Sequence, residues 1–161
     1  MANKVYQPQE TAVTWKASGG SELFTPTSLA SGAGRQGAHH DFTVGSVGRR
    51  FAWRAWIVPG GTRVVGEVIE VYLKTSDGTT PDNDDGTGDI AVSAGDKRRN
   101  LRLLGVIQID ENAAVPMAVS GEVTLLHRYG APVFWNRTAN SLSSTAADFG
   151  FSMIAVPDEV Q

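Results

Sequence analysis

The sequence predicts an all-β protein, a jelly-roll-like β-sandwich of about eight strands with an extended N-terminal arm. Three observations lead to this prediction. Short segments alternate apolar and polar side chains, which is the period of a β-strand that buries one face. Glycine accounts for 18 of the 161 residues, and many of these glycines fall between such segments, where tight turns are expected. No segment shows the apolar spacing of a convincing amphipathic helix.

The clearest strand covers residues 49–58, which alternate strictly. Its core face is expected to carry Phe51, Trp53, Ala55 and Ile57. Trp56 belongs to the opposite face, beside Arg50 and Arg54. A large aromatic side chain on a polar sheet face usually covers something, often another chain. These three residues are therefore predicted to form part of an interface.

The remaining strands are predicted from weaker versions of the same alternation. They cover residues 22–29, 35–44, 64–74, 101–109, 115–126, 132–136 and 149–156, after a first strand that begins at Val13. In the strand at 101–109, four side chains are expected to share the core face: Leu101, Leu103, Ile107 and Ile109. Residues 94–99 and 143–148 are each expected to form a short helical turn.

The chain is expected to consist of an arm and one domain. Residues 1–11 contain little to bury and include Pro8, which indicates an extended N-terminal arm. Residues 12–161 are long enough to bury a core of their own and are predicted to form a single β-sandwich domain. Residues 75–88 are rich in Asp, Gly and Thr, so a long surface loop is expected there.

Composition excludes several classes of function. The chain has no cysteine, so it contains neither a disulfide scaffold nor a thiolate metal site. Its net charge of −3 argues against general affinity for nucleic acid or an anionic membrane surface. No run of about 18 apolar residues is present to span a membrane. The sequence therefore predicts no nucleic-acid partner, no membrane partner and no cofactor.

An acidic cluster offers the strongest candidate for metal chemistry. The candidate calcium ligands are Asp82, Asp84, Asp85 and Asp89. Their spacing differs from that of the EF-hand loop, so a solvated loop that hydrogen-bonds its own backbone is favoured and no metal is predicted. His39 and His40 would point to opposite faces of a strand, and no nucleophile motif is present. The chain is not expected to be an enzyme, although a Ser-His-Asp triad assembled by the fold stays open.

Residues 28–37, with the sequence SLASGAGRQG, resemble a recurrent motif of small virion proteins of tailed bacteriophages. Further similar segments follow in the expected order, at residues 71–87, 103–110, 128–130 and 153–159. The resemblance extends from about residue 25 to the C-terminus and rests on glycine and turn patterns. It implies a capsid decoration (cement) protein with a jelly-roll fold, made in the bacterial host cytoplasm and located on the outer surface of the virion. A place on a head fibre or tail stays open.

A decoration protein of this kind implies two partners, the major capsid protein and further copies of the same chain, with a homotrimer as the expected assembly. The extended arm suits binding along the sheet edge of a neighbouring subunit. Trp135 is a further candidate interface anchor beside Trp56, and burial in the core is the alternative interpretation for both. The alternative function is a carbohydrate-binding or receptor-binding β-sandwich of a phage fibre or tail.

Overall fold

The computed structural model describes residues 10–42, 49–92 and 94–156, and within these ranges the chain forms eleven β-strands and no α-helix. The strands are β1 (Val13–Lys16), β2 (Glu22–Leu23), β3 (Gly34–Gln36), β4 (His40–Asp41), β5 (Arg50–Ile57), β6 (Val68–Ser76), β7 (Ile90–Val92), β8 (Arg102–Gln108), β9 (Met117–Thr124), β10 (Tyr129–Asn136) and β11 (Phe149–Ala155). Two 3-10 turns, at Gly95–Arg98 and Ala146–Asp148, lie inside the segments where helical turns are expected. The predicted all-β class is confirmed.

The strands form two sheets that pack face to face. Sheet A has the order β2-β1-β11-β5-β9. Sheet B has the order β7-β3-β10-β6-β8, and β4 also pairs with β10. The pairing of β1 with β2 is parallel, and all the other pairings between these strands are antiparallel.

The order of the strands is that of a jelly roll. β2 and β7 are short strands at the sheet edges, and β3 and β4 both run along β10. Eight strands remain when the two edge strands are left out and β3 and β4 are counted as one. When these eight strands are renumbered from 1 to 8 along the chain, sheet A has the order 1-8-3-6 and sheet B has the order 2-7-4-5. This arrangement is the pair of interleaved Greek keys that defines the fold.

The core lies between the two sheets, as the alternation of β5 predicts. The four side chains expected on its core face are all buried: Phe51, Trp53, Ala55 and Ile57. Trp53 stacks on Phe151 of β11, with ring centroids 6.1 Å apart. Trp15 of β1 and Phe134 of β10 belong to the same cluster, so both sheets contribute to it. Each fully buried side chain of this size stabilises the fold by about 1.5–3 kcal/mol.

Several strand boundaries differ from the prediction. In the segment 22–29 only β2 pairs with a neighbour, because Pro26 offers no backbone N–H and a turn follows it. The segment 35–44 is divided between β3 and β4, and residues 43–48 lie outside the described ranges, as do residues 1–9 of the predicted arm. β7 is missing from the sequence-based prediction because three residues are too few to show an alternating pattern.

The predicted core face of β8 is wrong at Leu103 and Leu101, and a β-bulge explains the error. Ile107 is buried between the sheets, whereas Leu103 is 54% exposed. The register of β8 against β6 shifts here, so that Leu103 pairs with Tyr72 on the outer face of sheet B. Leu104 is the additional residue of the bulge, and it reverses the alternation of the residues before it. Leu101 consequently packs in a separate small cluster on the outer face.

Candidate protein-interaction surface

The outer face of sheet A is open to solvent, and we call it the open face. Its outward side chains are exposed or half-buried: Lys16, Arg50, Ala52, Arg54, Trp56, Ala118, Ser120, Glu122, Ser152 and Ile154. Most of them are small or polar, so Trp56 is the largest apolar side chain on this surface. The three predicted interface residues of β5 are therefore brought together on one accessible face.

Trp56 is half-buried because its indole lies against the backbone of the neighbouring strand. Its pairing partner on β11 is Gly150, and a Cβ atom at that position would lie 2.5 Å from the indole. Only glycine leaves room for the ring there. A pocket of about 300 Å³ opens beside the indole, and it is lined by Lys16, Ala17, Ser18, Trp56, Ala146, Ala147 and Phe149. A partner's side chain can enter this space and contact the indole.

The open face carries more positive than negative charge. Arg50 donates two hydrogen bonds to the Glu122 carboxylate, at 3.0 and 3.2 Å, so these two charges compensate each other. The side chains of Arg54 and Lys16 make no ion pair or hydrogen bond with any residue of the described ranges. The chain as a whole has a net charge of −3, so this face stands out electrostatically and suits an acidic partner.

The outer face of sheet B, in contrast, is covered by the chain itself. Two segments lie on it, the acidic loop (residues 77–89) and the covering turn (residues 94–101). Trp135 is only 4% exposed there, in a cluster completed by Val92, Leu101 and Val133. The guanidinium of Arg98 lies over its indole at 4.4 Å from the ring centroid. The structure thus assigns Trp135 to the protein's own packing and not to an accessible interface.

The acidic loop does not gather its candidate calcium ligands around one point. Asp82 accepts two hydrogen bonds at 2.7 Å, from the backbone N–H and the hydroxyl of Thr75. Asp89 pairs with Arg35, with Nε 2.7 Å from Oδ1. Asp82 therefore fastens the middle of the loop to β6, and Asp89 fastens its C-terminal end to β3.

The other two candidates lie near the tip of the loop. Asp84 has a side chain that is 86% exposed and faces Lys97 Nζ at 3.5 Å. Asp85 accepts a hydrogen bond of 3.4 Å from the Nδ2 atom of Asn83. Within the described ranges no group of three or more His, Cys, Asp or Glu side chains is placed to hold a metal ion.

A buried polar network, which sequence reasoning missed, holds the acidic loop on sheet B. Lys74 is fully buried, and its Nζ donates to Oε1 of Gln36 at 2.8 Å and to the backbone carbonyl of Gly86. Asn83 donates to the same Gln36 oxygen at 3.0 Å. Burial lowers the pKa of Lys74 to about 8, although the carboxylates of the loop oppose the shift. Nothing in the alternation of β6 distinguishes this lysine from an exposed one.

The three histidines have different surroundings. His39 is largely buried beside Lys74, and burial together with the lysine charge lowers its pKa to about 4. His40 Nδ1 lies 2.9 Å from Oε1 of Glu22. His127 is exposed.

The phage-like segment at residues 28–37 is built into the packing of the sandwich. Leu29 is buried in the core, and Gly34 lies directly beneath the Trp135 indole, where a side chain would collide with the ring. Arg35 and Gln36 bind the acidic loop through Asp89 and the carbonyls of the loop. The residues that carry the resemblance therefore contribute more to the packing of the fold than to a contact surface.

No protein-family model and no curated protein matches this chain. Within the described ranges no helix is long and apolar enough to cross a membrane. The main surface difference in the described ranges is that the outer face of sheet B is covered by the chain and that of sheet A is open.

Proposed function

We propose that this chain is a bacteriophage capsid decoration protein that binds the assembled shell of the major capsid protein with its open face. A fold alone does not define a function, so the proposal depends on the surface. The observation that carries it is an accessible sheet face with one half-buried tryptophan among unpaired basic side chains. The phage-like segments of the sequence support the same class of protein.

The composition of the open face suits protein binding. Tryptophan and arginine are the residue types that most often dominate the binding energy of protein interfaces. Trp56 can fill a recess on the shell while the pocket beside it receives a side chain in return. Arg54 and Lys16 complement acidic groups on the partner.

The proposed mechanism is mechanical. A protein that binds only the assembled shell stabilises it by mass action, because rupture of the shell must also break these contacts. Shell symmetry favours cyclic assemblies, and we propose a homotrimer on the outer surface of the capsid. The N-terminal arm would extend each copy towards its neighbour and add hydrogen bonds along a sheet edge.

Deletion of the gene from the phage that encodes it tests the proposal. Particles without the protein should release DNA at a lower temperature in a dye-based melting assay, and addition of the purified chain should restore the wild-type temperature. Trp56→Ala should reduce affinity for the shell by about 30-fold, the effect of a hot-spot residue worth about 2 kcal/mol. Arg54→Glu should also impair restoration.

Two variants serve as matched controls for that experiment. Leu103 is 54% exposed on the outer face of sheet B, so Leu103→Ala should restore the melting temperature fully. Arg99 is an exposed residue of the covering turn, so Arg99→Glu should behave likewise. An unchanged release temperature after gene deletion would overturn the cement role.

A carbohydrate-binding domain is the second candidate, and the pocket beside Trp56 favours it. An indole next to hydroxyl and ammonium groups is a common arrangement for stacking and hydrogen bonding to a sugar. The acidic loop lies on the opposite sheet, so such a site would not use its carboxylates. Glycan-array binding that Trp56→Ala abolishes and a chelator leaves intact would support this candidate over the decoration protein.

A further inference from the structure

The side chains of Lys74 and Gln36 meet at the centre of the buried network on sheet B. Their strands, β6 and β3, lie on either side of β10, where Lys74 is paired with Ala131 and Gln36 with Val133. The small Ala131 side chain leaves space above β10 for the two longer ones. Both are fully buried, and the lysine Nζ lies 2.8 Å from the amide oxygen of Gln36. An amine and a carboxamide are therefore held together out of water.

The carboxamide of Gln36 is oriented and polarised by its neighbours. Its Oε1 accepts a second hydrogen bond from Asn83 Nδ2 at 3.0 Å. Donors aimed at a carbonyl oxygen stabilise the negative charge that develops when a nucleophile adds to the carbon. Its Nε2 donates to the carbonyls of Gly86 and Gly88, at 3.2 and 3.0 Å, so the amide plane is fixed.

The lysine is placed to act as a nucleophile. Its amine must be neutral to attack, and burial lowers the pKa of Lys74 to about 8, so a substantial neutral fraction exists in mildly alkaline solution. The carboxylate of Asp85 lies 3.4 Å from Asn83 Nδ2 and close enough to influence the lysine charge. A carboxylate can carry a proton between two nitrogens by accepting it from one and donating it to the other.

We propose that Lys74 and Gln36 form an intramolecular isopeptide bond. The Nζ atom attacks Cδ of Gln36, and a bond forms between them. The bond from Cδ to Nε2 then breaks, and the nitrogen leaves as ammonia after the Asp85 carboxylate has transferred a proton from Nζ to it. The reaction needs no oxidant and no further reactant. The new amide keeps one N–H, which can still donate to the carbonyl of Gly86.

The bond would be a covalent cross-link in a chain that cannot form disulfide bonds. The chain has no cysteine, so no disulfide connects its strands. A link from β3 to β6 spans the central strand β10 and restricts the unfolded chain, as a disulfide does. It would also fix the two strands on which the acidic loop lies. A protein that has to resist mechanical load on a shell would benefit from such a link, but the proposal does not depend on that function.

The intact mass of the purified wild-type chain is the primary test. After incubation at pH 8, the mass measured under denaturing conditions should be lower than the sequence mass by one molecule of ammonia. Trypsin should yield one branched peptide that joins the fragments containing residues 36 and 74. A lysine ammonium that only binds the loop gives the same distances but leaves the mass unchanged, and that result would overturn the proposal.

Variants identify the two atoms that are joined. Lys74→Met and Gln36→Leu should each retain the full sequence mass, whereas the control Lys97→Met should lose ammonia as the wild type does. Asn83→Ala removes one donor to the Gln36 oxygen and should slow the reaction on the order of a hundredfold. The wild-type mass decides the question even if a core variant fails to fold. A branched peptide that joins Lys74 to Asn83 would overturn the assignment to Gln36.

Discussion

Trp56 and Trp135 occupy equivalent positions on the two sheets but have opposite surroundings. Each indole lies on an outer sheet face, and each rests on a glycine of the neighbouring strand, Gly150 or Gly34. Trp135 is covered by the covering turn and a guanidinium, and it is 4% exposed. Trp56 has no comparable cover within the described ranges and stays half-buried.

The two outer sheet faces differ in whether other segments of the chain cover them. Sheet B is covered by 20 or so residues of loop, fastened through Lys74 and through the ion pair of Arg35 with Asp89. Beneath this cover Lys74, Gln36 and Asn83 hydrogen-bond one another, whereas Nε1 of Trp135 is buried without a hydrogen-bond partner. Sheet A retains an outer face with unpaired positive charge, which is the composition expected of a surface that meets another molecule.

The largest expected difference between the two tryptophans is in stability. Trp135→Ala leaves a cavity beneath the covering turn and should lower the free energy of unfolding by about 3–5 kcal/mol. Trp56→Ala removes a side chain that is already half in water and should cost about 1 kcal/mol. Urea denaturation followed by circular dichroism measures both. Equal losses would mean that Trp56 is a core residue and that the contrast is wrong.

The attachment of the acidic loop gives a second, smaller effect. Asp89→Asn weakens the pair with Arg35 at the end of the loop, and the free energy of unfolding should fall by about 2 kcal/mol. The control Asp84→Asn changes an exposed carboxylate of the same loop and should alter stability by less than about 0.5 kcal/mol. If both variants have the same stability, the loop is not held by this contact.

The pH dependence of the free energy of unfolding tests whether His39 is buried beneath the acidic loop. The pKa of His39 is lowered to about 4, so between pH 6.5 and pH 4 the unfolded state binds the proton more readily than the folded state. The free energy of unfolding should therefore decline over this window as the pH falls, by on the order of 2 kcal/mol from this group.

Urea titrations at several pH values measure that decline. His39→Gln should flatten the profile between pH 6.5 and pH 4, while His127→Gln, which changes an exposed side chain, should leave the profile as it is. A decline of the same size in His39→Gln would show that other groups cause it.

The regular parts of the fold could be predicted because alternation reports burial directly. β5 has a strict period of two, so its core face and the position of Trp56 follow from the sequence. The alternation of apolar and polar residues does not predict burial where the pairing of strands is irregular. The additional residue Leu104 in β8 places the residues before it on the opposite faces of the sheet, and no local sequence pattern indicates such a bulge.

The burial of the outer face of sheet B could not be predicted for a different reason. Lys74 and Trp135 both point outward from sheet B, and alternation alone places such residues in solvent. They are buried only because distant segments fold over them, and that depends on contacts between residues far apart in the chain. The position of a residue on a strand can be predicted from neighbours in sequence, but the cover of an outer face cannot.

An electron cryomicroscopy map of intact particles of the phage that encodes this chain would show directly whether the open face binds the shell. We expect density for the sandwich on the outer surface of the shell, with the open face and Trp56 towards the capsid and the acidic loop towards solvent. Density in which the open face is exposed and the acidic loop meets the shell would contradict this expectation, as would particles that do not contain the chain.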